Sequence, residues 1–220
     1  MSNGLSYNDV ENMCVDKKGY LWLATGRGLN MFNGKSVEKY FVEEYPQLQN
    51  NLIVRVKCDP QNRIWVLSSN GNVTMIDDQR QFHRVGLYEN NQFIKTKYML
   101  YGPNGNIVLH TQKGLYIFQP QLNLKSDSLN FSNFAPIQIA SFDSLKDKPF
   151  IRIFEFDDNR LLYKLEHISY LVNLKAKTIE KSFAFQNIYP LIKWGNDELL
   201  AFDRNENEIK LVNLYDDEIQ

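Results

Sequence analysis

Few side chains in this sequence are spaced for catalysis. The three histidines are far apart, and no Ser/His/Asp arrangement can be built from them: His83, His110 and His167. The paired carboxylates Asp77-Asp78 and Asp157-Asp158 lie at turn positions, where aspartate is favoured for hydrogen bonds to its own backbone. A glycosidase needs two carboxylates across a cleft, and sequence neighbours do not provide that geometry. We therefore expect no catalytic residues and no enzymatic activity in this chain.

Cofactor and metal sites have equally little support. The run Gly26-Arg27-Gly28 lacks the third glycine of a nucleotide-binding loop and is better explained as a turn. Cys14 and Cys58 form no CxxC motif, so neither a metal site nor a disulfide framework is indicated. Their spacing is one residue longer than the repeat described below, which points them to opposite faces of equivalent strands. We predict no bridge between them, no metal and no cofactor.

An internal repeat of 43 residues is the most informative feature of the sequence. One step of that length places Trp22 on Trp65 and Gly28 on Gly71, and a second equal step places Gly71 on Gly114. The pattern continues more weakly after an insertion that precedes the fourth unit. We distinguish five units, at approximately residues 7–42, 50–87, 94–142, 150–184 and 187–217.

Each unit consists of short strands. In the first unit, runs rich in β-branched and aromatic residues occupy positions 10–15, 20–25, 29–32 and 37–41, with turn formers between them. No stretch shows helical periodicity over about 11 residues. Four antiparallel strands per repeat of this length are typical of a propeller blade. The prediction is an all-β protein, a β-propeller with about five four-stranded blades.

The repeated residues have structural explanations. We expect Gly28, Gly71 and Gly114 to supply a positive φ in the turn between the second and third strands. Trp22 and Trp65 are expected to fill the space between neighbouring blades. The hydroxyl residues before these turns can bind backbone groups at the strand end: Thr25, Ser68 and Thr111.

Composition favours a folded domain that contacts no nucleic acid. The hydrophobic fraction of 43% and the aromatic fraction of 13% can form a core and argue against disorder. The 25 Lys and Arg residues nearly balance the 26 Asp and Glu residues, and no basic cluster stands out. The sequence contains no apolar run of about 18 residues, the length needed to span a membrane, and it does not open with a signal peptide. Either the protein is cytosolic or an export signal was removed, and composition does not choose between these.

The opening of the chain resembles a known repeat family. The run Gly4-Leu5-Ser6-Tyr7-Asn8-Asp9-Val10, followed by Asp16-x-x-Gly19-x-Leu21-Trp22-Leu23-Ala24-Thr25 and Gly28-Leu29-Asn30-Met31-Phe32, resembles the two-component-regulator propeller repeat. The resemblance implies a seven-bladed propeller in the periplasmic sensor region of a Bacteroidetes hybrid two-component protein, which joins a histidine kinase to a response regulator. Because five units are present and the kinase is absent, we expect a fragment of such a sensor, located in the periplasm.

The resemblance also implies a ligand, namely an oligosaccharide derived from a polysaccharide, with control of glycan-utilisation genes as the output. Propellers bind ligands through turns that vary between blades. In the turn between the second and third strands, one comparable position carries a different polar residue in each of the first four units: Arg27, Asn70, Lys113 and His167. These are our candidate ligand-binding residues, and the alternative is that they are ordinary solvated turn residues. Aromatic residues that could stack on a sugar are Tyr45, Tyr88 and Tyr116, and the sequence does not choose among them.

The expected partners are therefore an oligosaccharide and the remaining blades and domains of the parent receptor, with a homodimer left open. Two alternatives from other functional classes remain: a stand-alone five-bladed propeller that acts as a protein-interaction scaffold, and a propeller enzyme that acts on glycans. A fragment would leave blade faces and strand edges uncovered, so we predict that it self-associates or is marginally stable.

Overall fold

The computed structural model describes most of the chain, namely residues 4–89, 92–101, 106–111, 113–118, 128–130, 150–157, 159–165, 168–176, 178–184 and 187–215. These residues form sheets of short strands, and their only helical element is the 3-10 turn Pro46–Leu48. The all-β prediction is therefore confirmed. The chain divides into two compact units, Met1–Pro136 and Ile137–Gln220, which are described separately.

The first unit contains three larger sheets, in which strands that follow one another in sequence pair antiparallel. The first sheet consists of β1 (Val10–Val15), β2 (Leu21–Thr25), β3 (Gly28–Phe32) and β4 (Val37–Tyr40). The second contains β5 (Ile53–Cys58), β6 (Ile64–Ser68), β7 (Val73–Ile76) and β8 (Phe82–Gly86). The hairpin strands β9 (Tyr88–Glu89) and β10 (Gln92–Phe93) lead to the third sheet, with β11 (Thr96–Tyr101), β12 (Ile107–Thr111) and β13 (Gly114–Phe118).

A further strand extends the second sheet. The short β14 (Ser128–Asn130) pairs in parallel with β8, along residues 84–86. The repeat pattern does not predict this strand, because the insertion in which it lies carries no repeat signature.

The second unit contains two sheets, again antiparallel. The fourth sheet of the chain consists of β15 (Phe150–Glu155), β16 (Arg160–Leu165), β17 (Ser169–Asn173) and β18 (Thr178–Phe183). The fifth sheet contains β19 (Ile188–Lys193), β20 (Glu198–Asp203) and β21 (Glu208–Asn213). The number of blades and their bounds remain predictions.

A β-bulge recurs in the first strand of every one of these sheets. It lies between Val10 and Asn12, Ile53 and Arg55, Thr96 and Tyr98, Phe150 and Arg152, and Pro190 and Ile192. A bulge adds one residue, bends the strand and re-aims the side chain that follows it. The bulge lies at equivalent positions in the first four sheets, so the fourth sheet shares this feature with the first three.

The sheets stack face to face through apolar side chains. Trp22 is buried in a core shared by the first and second sheets, and Trp65 in a core shared by the second and third. Each indole N–H also donates to the aspartate that opens the preceding turn, at 3.0 Å for Asp16 and 2.9 Å for Asp59. In the second unit, Leu162 and other apolar residues form the corresponding core between the fourth and fifth sheets. Four-stranded sheets stacked in this way are the packing unit of a β-propeller.

A disulfide joins Cys14 of β1 to Cys58 of β5, whose Cα atoms are 5.8 Å apart. The prediction of no bridge was therefore wrong. Cys14 pairs with Trp22 and Cys58 pairs with Ile64, so the two side chains do point to opposite faces of equivalent strands. Neighbouring sheets stack face to face, so one face of the first sheet meets the opposite face of the second. The extra residue of spacing points Cys14 and Cys58 to these two facing surfaces, and their sulfurs therefore meet.

No helix in the described part of the chain has both the length and the apolar character needed to cross a lipid bilayer.

Candidate ligand-binding cleft

The hairpin of the second sheet faces the beginning of the third sheet. Antiparallel strands reverse direction at each turn, so the β6–β7 hairpin and the exit from β8 lie at the same end of the sheet. From there the chain passes through β9 and β10 to Lys95, which precedes β11. The Thr96 N–H donates to the Gly71 carbonyl at 3.0 Å, and the Ser69 N–H donates to the Leu52 carbonyl at 2.9 Å. These bonds hold the hairpin of the second sheet between the first strands of two sheets.

Glycine is required where this hairpin meets Lys95. Gly71 has a φ of +87°, and a Cβ on it would lie 2.8 Å from the Cβ of Lys95 and 3.1 Å from the backbone nitrogen of Thr96. No larger residue fits without displacing the backbone. The equivalent Gly28 and Gly114 also have positive φ, at +118° and +132°.

The hydroxyl residues before these turns are engaged with the backbone. The hydroxyl of Thr25 donates to the Gly28 carbonyl at 2.7 Å, and that of Thr111 donates to the Gly114 carbonyl at 3.1 Å. Ser68 differs, because its hydroxyl reaches the Leu48 carbonyl in the preceding loop at 2.8 Å. The hydroxyls at these strand ends therefore have structural roles.

These segments enclose a cleft of about 430 Å³, which we call the Asn70 cleft. Its walls are formed chiefly by Val54, Leu67, Ser69, Asn70, Lys95 and Lys97. Small-molecule sites commonly have volumes of about 300–1,000 Å³, so this cleft can hold a small ligand or the end of a larger one.

The polar groups of the Asn70 cleft divide into those engaged by the fold and those that face solvent. The Asn70 amide nitrogen donates to the Gln49 carbonyl at 3.2 Å, and its oxygen accepts from the Asn72 N–H at 3.3 Å. By contrast, Lys95 and Lys97 are exposed and form no ion pair within the described part of the chain. No residue that lines the cleft is acidic, so its charge is positive.

The buried His110 adds no charge near this cleft. Burial, and to a smaller extent the positive charge of Lys97, lowers the pKa of His110 to about 4. The imidazole is therefore neutral at pH 7, and the cationic groups of the cleft are the two lysines.

Of the four residues predicted to bind a ligand, only Asn70 lines the Asn70 cleft. Arg27 is exposed on the hairpin of the first sheet, with its guanidinium carbon 5.5 Å from the centre of the Tyr7 ring. Lys113 is exposed on the hairpin of the third sheet, where its N–H donates to the Thr111 hydroxyl at 3.0 Å. His167 lies outside the described residues. Their roles in ligand binding remain predictions.

Sequence reasoning missed Ser69, Lys95 and Lys97. It compared the same hairpin position from unit to unit and ignored the segment that leads into the next unit. The available signal was topological, because that segment must begin at the end of the sheet where the hairpin lies.

The three candidate aromatic residues differ sharply in exposure. Tyr116 is buried in the core between the second and third sheets. Tyr45 packs edge-on against Tyr40, with ring centres 5.1 Å apart. Tyr88 of β9 is 42% exposed, and it lies in the connection that leads to Lys95. Among the three, Tyr88 is the ring available for stacking on a sugar.

The carboxylates considered for catalysis hold turns. The Asp77 side chain accepts from the N–H groups of Gln79 and Gln81 at 2.9 and 2.8 Å, and its second oxygen lies 2.9 Å from His83 Nε2. Asp157 accepts from the Asn159 N–H at 2.9 Å, while Asp158 lies outside the described residues. The described residues contain no group of three or more His, Cys, Asp or Glu placed to hold a metal ion.

The first 27 residues carry a family match. Residues 4–27 match the two component regulator propeller family. In the structure this segment packs on the first hairpin, where the Ser6 N–H donates to the Asn30 side chain at 2.9 Å and the hydroxyls of Ser6 and Thr25 are 3.1 Å apart. No curated protein matches the sequence.

Several solved structures share the fold. One is the extracellular domain of a B. thetaiotaomicron protein assigned as a hybrid two-component system, with a TM-score of 0.73 and 20% identity over 100% of this chain and 30% of that chain. A second, assigned as a one-component system in the same organism, has a TM-score of 0.56 and 14% identity over 99% of this chain and 37% of that chain.

A third structure is an enzyme, the virginiamycin B lyase of Staphylococcus aureus in an inactive form with quinupristin. It has a TM-score of 0.62 and 14% identity over 99% of this chain and 71% of that chain. The fold alone therefore does not separate a sensor from an enzyme. This chain spans about a third of the two extracellular domains that it matches. The fold is a β-propeller, and the chain opens with a two-component-regulator propeller repeat, as its sequence predicted.

Proposed function

We propose that this chain is a ligand-sensing propeller from the extracytoplasmic part of a hybrid two-component receptor. It recognises oligosaccharides derived from a polysaccharide, and the receptor thereby controls glycan-utilisation genes. The observation that carries the proposal is the Asn70 cleft, which lies between sheets of a rigid scaffold. The opening of the same chain matches the regulator repeat. Binding residues on loops held by such a scaffold are the common arrangement in recognition domains.

The chemistry of the cleft suits a saccharide. The exposed Ser69 and the two lysines offer hydrogen-bond donors for hydroxyl or acidic groups, and Val54 and Leu67 provide an apolar wall. The exposed ring of Tyr88 lies in the connection at the same end of the sheet. An aromatic ring with a polar tip can pack on the apolar face of a sugar while it remains hydrated.

The disulfide supports an extracytoplasmic location. Bridges such as Cys14–Cys58 form and persist in oxidising compartments, which include the bacterial periplasm, and are rare in the cytosol. The extracellular domains that share the fold agree with this location.

The test is calorimetric titration of the chain with a panel of defined neutral and acidic oligosaccharides. At least one should bind, and the cleft variant Lys95→Glu should weaken that binding about tenfold, since one charge-assisted hydrogen bond lost corresponds to that factor. Lys35→Gln, which removes an exposed cation from the turn between β3 and β4 of the first sheet, should leave the affinity unchanged. If no saccharide binds, or if Lys95→Glu binds as the parent chain does, the proposal is wrong.

A second candidate, a scaffold for protein contacts, is favoured by the fifth sheet. Ile192, Trp194 and Ile209 are 62%, 67% and 64% exposed. Exposed apolar clusters of this kind mark sites of protein association. If this surface associates, light scattering should show concentration-dependent assembly that Ile192→Ser with Ile209→Ser abolishes. A monomer at all concentrations, without a captured partner, would exclude this function.

A further inference from the structure

We propose that the ligand of the Asn70 cleft is an acidic oligosaccharide, whose carboxylate or sulfate group is held by Lys95 and Lys97. This inference rests on the proposed function, which it sharpens by naming the chemical class of the saccharide.

The two lysines lie on one face of the chain at a fixed place. They flank Thr96, whose side chain is buried, and the bulge of β11 lies at Lys97, between Thr96 and Tyr98. Both lysines are exposed and line the same cleft. The bond from the Thr96 N–H to the Gly71 carbonyl anchors the backbone between them, so the fold holds the two residues beside the cleft.

Neither lysine forms an ion pair within the described part of the chain, whereas several other cations do. Arg80 pairs with Glu38 at 2.9 Å, and Lys210 pairs with Asp203 and Glu206 at 3.1 and 2.7 Å. Among the described residues, no such carboxylate pairs with Lys95 or Lys97, and none lines the cleft. Two uncompensated positive charges beside each other repel, and an anionic ligand relieves that repulsion.

The fold itself does not require cations at these positions. One repeat earlier, the residues that lead into β5 in the same way are Leu52 and Val54. The first sheet thus forms the same connection with two apolar side chains. The lysines are additions to the scaffold, which is expected of groups that serve recognition.

Lysine suits both kinds of acidic group. Its ammonium is a compact charge with three rotatable donors, and it lacks the planar fork with which arginine selects carboxylate or phosphate geometry. Charge-assisted hydrogen bonds are about twice as strong as neutral ones, so an acidic sugar gains over its neutral counterpart. The structure thus defines the anionic class, and titration decides between carboxylate and sulfate.

The experiment uses three tetrasaccharides as probes: tetragalacturonate, which carries carboxylates, a κ-carrageenan tetrasaccharide, which carries sulfates, and neutral galactotetraose. Each is titrated calorimetrically into the chain, into Lys95→Gln with Lys97→Gln, and into Lys17→Gln with Lys18→Gln. The second pair is the matched control, because it removes the same charge at the other end of the stacked sheets, where the Lys17 N–H donates to the Asn62 side chain at 2.8 Å.

We expect one acidic probe to bind at least about tenfold more tightly than galactotetraose, and the cleft variant to lose that difference while the control keeps it. Higher salt should weaken this binding, because the cleft is open to solvent. If galactotetraose binds as tightly as the acidic probes, the inference is wrong and the proposed function stands. If the cleft variant binds the acidic probes unchanged, the Asn70 cleft is not their site and both are wrong. If none of the three binds, the inference is overturned, and the wider panel of oligosaccharides decides the proposed function.

Discussion

The hairpin ends of the first and second sheets show how one scaffold can serve two purposes. Both hairpins end in a glycine of positive φ, Gly28 or Gly71, that contacts the following connection. In the first sheet, Gly28 meets the ring of Phe41, and the apolar Leu52 leads into the next sheet. In the second sheet, Gly71 meets Lys95, and a cleft with two lysines opens beside it.

The comparison separates residues that build the repeat from those that add a function. The hydrogen bond from tryptophan to aspartate and the glycine of positive φ recur in both sheets. The lysines lie beside the second hairpin and not beside the first. Substitutions in the first group should therefore affect both sheets through stability, whereas substitutions in the second should affect ligand binding.

The largest effect is expected at the shared scaffold. Trp65 is 0% exposed, and its loss leaves a cavity between two sheets and removes one of the hydrogen bonds to the buried Asp59 carboxylate. Trp65→Ala should lower the free energy of unfolding by about 3–5 kcal/mol, and Trp22→Ala by a similar amount. Urea denaturation measures this, with the exposed Trp194→Ala as the control. A loss below about 1 kcal/mol in Trp65→Ala would contradict the assigned packing.

The disulfide should stabilise the contact between the first and second sheets and has no counterpart between the second and third. One repeat later, the positions of the two cysteines are held by Lys57 and Tyr101. Cys14→Ser with Cys58→Ser should lower the free energy of unfolding by about 2–4 kcal/mol. Dithiothreitol should destabilise the parent chain and leave this variant unaffected. A parent chain insensitive to the reductant would show that the bridge does not form.

A pH effect should distinguish the third sheet from the second. His110 stands where the second sheet has Leu67, and burial lowers its pKa from about 6.5 to about 4. The unfolded chain then binds a proton more readily than the folded chain between these values. The stability that the neutral imidazole contributes is complete above pH 6.5. It is lost as the pH is lowered, and about 3 kcal/mol of the free energy of unfolding is lost at pH 4.

His110→Leu, which installs the residue of the second sheet, should reduce this acid sensitivity. Urea denaturation of both chains at pH 7 and pH 4.5 measures it. Equal losses in the two chains would show that His110 is not the titrating group.

The smallest of these effects is expected at the glycine beneath the cleft. Gly71→Ala combines an unfavourable φ with a close approach to Lys95, so it should cost about 2 kcal/mol. Gly34→Ala is the matched control, since Gly34 has a φ of +90° and nothing within 4 Å of an added Cβ. The control should lose only about 1 kcal/mol. Equal losses would mean that the close approach is unimportant.

Much of the scaffold could be predicted because it is encoded locally. The strand predicted at residues 10–15 coincides with β1, and the fixed repeat identifies the turns whose glycines have positive φ. These features depend on residues near in sequence, namely alternating apolar side chains and turn formers.

Features that depend on contacts between sheets could not be predicted in this way. The Cys14–Cys58 bridge forms because adjacent sheets present opposite faces to each other, which pairing within one sheet does not show. The Asn70 cleft combines a hairpin of one sheet with the connection to the next, so no single repeat contains it. Equivalent positions in successive repeats reveal the scaffold. Lys95 and Lys97 are found only by asking which segments lie beside the hairpin at the same end of the sheet.

The account places ligand recognition at the second hairpin and not at the first. Amide hydrogen exchange of the chain with and without tetragalacturonate tests this placement. We expect slower exchange at residues 69–72 and 94–97, with no change at residues 26–28. Protection confined to residues 26–28, or bound tetragalacturonate without protection at the Asn70 cleft, would contradict it.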